Sequence, residues 1–254
     1  MKTNFKLTLV LLVGVVFVYT GCKKSSSPTP KTVNNPAVSQ IAMNFYQSLV
    51  GSYGGVSVSN GLSSPSFVNP SKSLQLNGTS TCGFYIDNGI DYHTNIGDTI
   101  KSHSTGSISF YFLCNNNTHV GFNNIDSLHT EGTAPGYAFI YDFTQNYLVK
   151  SLNPQNTSIS VDGTIKSFID YNYTKPGKKN LSIHNRYKLD GLEVNINDNS
   201  NVTQGTVTFT SFGTSDTVSW DYEGTITFYG DHKAILVVNG LTYKVDLKTG
   251  IITT

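Results

Sequence analysis

The sequence predicts a mainly β protein, an antiparallel β-sandwich or barrel-like meander with one short helix near its N-terminus. Three observations predict it. Leu192, Val194 and Ile196 alternate with Glu193, Asn195 and Asn197, and Tyr243, Val245 and Leu247 alternate with Thr242, Lys244 and Asp246, the period of a half-buried strand. Asn239–Gly240 stands between Ala234–Val238 and Leu241–Asp246, and this pair accepts the positive φ angles of a type I′ hairpin turn. Helical periodicity, by contrast, is confined to residues 37–50, where Val38, Ile41, Ala42, Phe45 and Leu49 fall on one face.

That helix has its own start and stop. Asn34 or Asn35 can cap it, Pro36 suits the first helical position, and Gly51 ends it. Its apolar stripe is expected to pack on the sheet. Gly54 to Lys72 is rich in Gly, Ser, Pro and Asn and reads as a loop. From Ser73 onward the signals are strand and turn, about a dozen short strands with no long crossover for a parallel sheet. A unit recurs as Gly106-Ser-Ile-Ser-Phe, Gly163-Thr-Ile-Lys, Gly205-Thr-Val-Thr-Phe and Gly224-Thr-Ile-Thr-Phe. Its irregular spacing reads as strands that begin after glycine turns.

Composition narrows the function. Charged residues are 13% of 254, hydrophobic residues 38% and aromatics 12%, with a net charge of +1. This chain can bury a core and lacks the charge of a disordered segment, a coiled coil or a nucleic-acid binder resting on a basic field. No P-loop, GxSxG or HExxH is present. Catalytic and metal-ligand assignments are none, and no cofactor is expected.

The first 21 residues read as a secretory leader. Lys2 and Lys6 precede an apolar run from Leu7 to Val18, about 18 Å as a helix and too short for a ~30 Å hydrocarbon core. Tyr19-Thr20-Gly21-Cys22 resembles the lipobox of bacterial lipoproteins, which implies lipidation at Cys22. Residues 22–36 then read as a flexible tether, polar and punctuated by Pro28 and Pro30, ahead of a single β-domain over 37–254. Loss of Lys2 and Lys6 from the 17 basic residues leaves 15 against 16 acidic ones, so the mature chain is close to neutral.

With Cys22 lipidated, Cys82 and Cys114 remain, an even number in an oxidising compartment. Alternation puts Cys82 with Phe84 and Ile86, and Cys114 with Phe110 and Phe112, so both thiols are expected to face the core and pair. Closing a loop of about 33 residues would contribute roughly 3–4 kcal/mol.

The remaining candidates are weaker. The six histidines (His93, His103, His119, His129, His184 and His232) are scattered and expected to face solvent. Asp87–His93 and Asn195–Asn201 offer oxygens suited to Ca²⁺ but read first as hairpin turns. Paired carboxylates for glycoside hydrolysis need a separation that sequence does not measure, and Glu131, Glu193 and Glu223 are the only glutamates; Lys175–Lys179 reads as a hairpin tip. Alternation turns Tyr53, Tyr85, Tyr111, Tyr173, Trp220 and Tyr229 outward, where rings can stack on sugars or anchor partners.

The Gly21-Cys22-Lys23-Lys24 junction, the Phe45–Gly55 segment and the closing Gly224–Gly250 stretch are similar to uncharacterised lipoproteins of the Bacteroidota. The resemblance implies an outer-membrane lipid anchor. Without an acidic run after Cys22, it implies a periplasm-facing position. It also implies O-glycosylation at Asp-Ser/Thr before an apolar residue, which Thr99, Ser127 and Thr217 satisfy. The expectation is therefore a non-catalytic envelope lipoprotein with a binding or structural role. Its expected partners are the membrane, through the Cys22 anchor, and an envelope protein or glycan, with no nucleic acid. A glycan- or lipid-binding module is the alternative, and a hydrolase on a β-scaffold comes third.

Overall fold

A computed structural model describes residues 36–49, 58, 62, 82–83, 85–97, 99–198, 201–216 and 218–253. The leader, Cys22, the tether, the capping asparagines and most of the 54–72 stretch lie outside the described residues. Helix α1 spans Pro36–Leu49. Eleven strands follow: β1 (Tyr85–Ile96), β2 (Ile100–Asn115), β3 (Thr118–Ala134), β4 (Tyr137–Ser151), β5 (Ser158–Tyr173), β6 (Leu181–Asn195), β7 (Asn201–Ser215), β8 (Val218–Phe228), β9 (Lys233–Val238), β10 (Leu241–Asp246) and β11 (Ile252–Thr253). They form one antiparallel sheet in strict chain order, each strand paired with the next, with β1 and β11 at its open edges. The mainly β class, the antiparallel meander and the single N-terminal helix are as expected, and the sheet is neither a two-sheet sandwich nor a closed barrel.

The helix does what its stripe predicts: Val38, Ile41, Ala42, Phe45 and Leu49 are all buried. It lies on the face formed by alternate residues such as Phe110, Phe122, Tyr147, Ile165, Tyr187 and Val207. Ser39 Oγ donates to the Gly250 carbonyl beyond β10, and Gln145 Nε2 of β4 donates to the Ser48 carbonyl. The helix advances about 14 Å between these two contacts. Their partners on a flat sheet would stand some six strand spacings apart, roughly 29 Å. The sheet is therefore curled about its own helix.

Glycines make the curl possible. Gly106, Gly163, Gly205 and Gly224 lie inside β2, β5, β7 and β8 and not in turns, which corrects the reading of the recurring unit as strand starts. A Cβ would meet the carbonyl oxygen of Ser127 at 1.9 Å on Gly106, of Asn146 at 1.9 Å on Gly163, of Gly191 at 2.4 Å on Gly205 and of Val237 at 1.8 Å on Gly224. No side chain fits there, so these are the points where the concave face is compressed. The repeat in the sequence is a bending device.

Two further expectations change. The first eight strands run to 11–17 residues and are not short. Asp87–His93 lies inside β1 and is no turn, whereas Asn195–Asn201 does close the β6–β7 hairpin through Asp198 and Asn201. The β9–β10 hairpin has the anticipated turn, with φ of 47° at Asn239 and 81° at Gly240.

Candidate functional site

The buried face is closed by polar contacts as well as by packing. Asp126, in β3, accepts from Asn124 Nδ2 at 3.0 Å and from the Gln145 main-chain N–H at 3.1 Å. Gln145 Nε2 also donates to Tyr147 Oη at 2.7 Å. Burial, together with the Asp126 charge, pushes the Tyr147 hydroxyl well above its ordinary titration range. Ser167 and Asn185 continue the polar stripe onto β5 and β6. Of these side chains, Gln145 reaches the helix itself, at the Ser48 carbonyl.

The cysteine pair forms. Cys82 and Cys114 are bonded, with Cα atoms 5.9 Å apart. Their setting differs from the expected core position: Cys82 precedes β1 in a turn and Cys114 is exposed near the end of β2. The β2–β3 register shifts between Leu113 and Cys114, so the alternation that buries Phe110 and Phe112 has reached the rim of the sheet there. His119 stacks on Phe112 beside the disulfide.

The outer face carries most of the histidines. One cross-strand row runs Asp91, Thr105, His129, Asp142, Phe168, His184, Phe212 and Asp221. His129 Nδ1 and Asp142 Oδ1 are 2.5 Å apart. The rings of Phe168, His184 and Phe212 stand parallel like cards, with centroids 4.4 and 4.5 Å apart. That is close to the strand spacing, so His184 has a phenylalanine on each face, while Phe168 and Phe212 end the stack with one ring neighbour each. His93 and His103 stack in the same way at 4.2 Å, and His103 Nε2 lies 2.9 Å from Asp91 Oδ1. His232 departs from the solvent-facing expectation. It is 2% exposed under Tyr46 of the helix, with Asp198 at 3.8 Å.

A different aromatic arrangement occupies the far end of the concave face. Tyr137 pairs with Tyr173 and Phe139 with Tyr171 across β4 and β5. Their rings are tilted, Tyr137 to Tyr173 by 42° at 5.5 Å and Tyr137 to Tyr171 by 68° at 5.8 Å. Tilted rings keep part of their faces open. The β5–β6 hairpin closes over this end: the Thr174 N–H donates to the Gly136 carbonyl and the Lys175 stem lies on Gly136. Lys178 and Lys179 follow in the same tip. Burial, with the neighbouring Tyr137 and Tyr173 hydroxyls, pushes the Tyr171 pKa up to about 12.

Of the rings nominated by alternation, Tyr173 belongs to this quartet. Tyr85 and Tyr111 form an exposed outer pair, Tyr229 is exposed next to the β8–β9 turn, and Trp220 lies over Gly213. Tyr53 is outside the described residues. Tyr137, Phe139 and Tyr171 escape a sequence reading because only the β4–β5 register brings them to Tyr173.

Thr99 sits exposed in the β1–β2 turn, its hydroxyl donating to the Ile96 carbonyl at 3.2 Å. Ser127 is exposed mid-strand in β3, but the Asp126 of its motif is in the core. Thr217 lies outside the described residues. A shallow groove of about 240 Å³ holds two carboxylates, Asp170 and Asp216, lined also by Asn180 and Ser182. Asp170 accepts from Asn172 and Asp216 from the Asn180 N–H.

These features define an open β-meander wrapped on helix α1, with a tyrosine-rich end and a histidine-bearing outer face. No family model, curated protein or solved structure matches the chain.

Proposed function

We propose that this chain is a lipid-anchored, non-catalytic envelope protein that acts as a binding module. It is held at the outer membrane through Cys22, faces the periplasm, and meets its partner with the tyrosine-rich end of the sheet. The anchor rests on the lipobox resemblance and the Ser/Pro tether. The binding role is carried by one observation, the half-buried quartet Tyr137, Phe139, Tyr171 and Tyr173 beside a lysine-bearing hairpin. Such rings offer rigid apolar area with polar tips at small entropic cost, which favours recognition. The space a barrel would give to a ligand is occupied instead by α1, where Phe45 packs 5.3 Å from Tyr187 and 5.6 Å from Phe228.

A glycan-binding reading is favoured by the tilt of these rings, since a sugar needs an uncovered aromatic face. Photo-crosslinking in living cells tests both readings. A photoreactive residue at Tyr173 should capture a discrete envelope protein or glycan, and one at Lys188 on the outer face should not. Equal capture from both positions, or from neither, would refute the assignment of this end as the binding surface.

A further inference from the structure

The geometry points to a binding site for one borderline divalent metal ion, Zn²⁺ foremost, formed by Asp91, His93 and His103 on the outer face of the β1–β2 hairpin. One ligand atom from each residue lies within 4.8 Å of the other two. His103 Nε2 and Asp91 Oδ1 are already 2.9 Å apart, and the two imidazoles stand parallel at 4.2 Å with an interplanar angle of 11°. Donors bound about 2.0–2.2 Å from one Zn²⁺ are themselves roughly 3–3.5 Å apart, so small side-chain rotations complete the set.

The backbone places these residues without help from a loop. Asp91 and His93 are two apart on β1 and share a face, and His103 stands directly opposite His93. The register between the two strands is unbroken from Tyr85–Tyr111 to Ile96–Ile100, so the three side chains are held on a ladder that forms with or without an ion. Glu131 is the next residue across from His103 on β3 and adds negative charge beside the site. Lys101 is the nearest cation along β2 on that face. Two imidazoles and one carboxylate suit Zn²⁺, Cu²⁺ or Ni²⁺ and not the all-oxygen shells of Ca²⁺ or Mg²⁺. Three protein ligands on an open face leave at least one position for water or for a donor from another molecule.

The other histidines do not compete. Among the described residues one other group of three comes together, Cys82, Cys114 and His119, and its sulfurs are consumed by the disulfide. His129 has one carboxylate partner, Asp142, and His184 is held between two phenylalanine rings.

The test is calorimetric titration of Zn²⁺ into the untagged, purified full chain, with Co²⁺ visible absorption as a second readout of coordination. The expected result is one ion per chain. His103→Ala and Asp91→Asn should each weaken binding by about tenfold or more, while His129→Ala and His184→Ala bind as the parent does. Nuclear magnetic resonance of the parent, with Zn²⁺ shifting the His93 and His103 ring signals, keeps the test valid if a variant folds poorly. No saturable binding, binding unchanged in His103→Ala, or binding lost in His129→Ala would each overturn the assignment.

Discussion

The Tyr187 hydroxyl, at the centre of β6, donates a 2.9 Å hydrogen bond to the main-chain carbonyl of Ile41 in α1. Both residues are buried, and the bond joins positions 146 apart in the chain. It fixes the helix along the concave face where Phe45 meets the same tyrosine ring. Tyr187→Phe keeps the ring and removes only the donor, so denaturant unfolding should show a loss of about 1 kcal/mol. Tyr187→Ala also empties the space beneath Phe45 and should cost roughly 3–5 kcal/mol.

The disulfide closes a segment of 32 positions at the rim of the sheet. Reduction, or Cys114→Ser, should lower unfolding stability by roughly 3–4 kcal/mol if the effect is mainly loop entropy. Unfolding curves with and without reductant measure it directly.

Two neighbouring glycines should behave oppositely. A Cβ on Gly106 would sit 1.9 Å from the Ser127 carbonyl oxygen, while one on Gly89 meets nothing closer than 4.0 Å. Gly106→Ala should therefore destabilise by about 3 kcal/mol or prevent folding, and Gly89→Ala should change stability by about 0.5 kcal/mol or less. Thermal melts of the pair would separate a bending role from mere strand composition.

Tyr171 titrates at about 12 in the folded chain because it is buried among other tyrosines. An unfolded tyrosine ionises near 10. The folded state thus holds this proton more tightly, and its contribution to stability is complete below about pH 10 and lost as pH rises towards 12. Ultraviolet difference titration should show a phenolate step at about 12 that Tyr171→Phe removes, while the buried Tyr147 still ionises well above the ordinary range.

Of the candidate glycosylation motifs, the exposed turn at Thr99 can be presented by the folded chain, whereas the Ser127 motif has its aspartate locked against Gln145. Glycopeptide mass analysis of the native protein should find sugar at Thr99 and none at Ser127.

Local signals carried much of this fold in the sequence. The stripe from Val38 to Leu49, the Asn239–Gly240 turn and the pairing of Cys82 with Cys114 each depend on spacing within a short segment or on an even cysteine count. The length of the strands was hidden for a physical reason. Asn124, Asp126, Gln145, Ser167, Asn185 and Ser211 occupy inward positions, and polar residues there break the alternation that marks a strand. The glycines of the recurring unit did the same, because a close backbone approach and a turn both call for glycine. The sites depend on register between strands. His93 and His103 are ten residues apart and face one another only through the β1–β2 ladder, and Tyr137 meets Tyr173 only through β4 and β5.

The proposed lipid tether at Cys22 is tested most directly by the intact mass of the membrane-extracted protein. The predicted result is a chain beginning at Cys22 that carries a diacylglyceryl and an N-acyl group, with Cys22→Ser released from the membrane fraction. A chain that retains residues 1–21, or one that begins elsewhere without lipid, would contradict it.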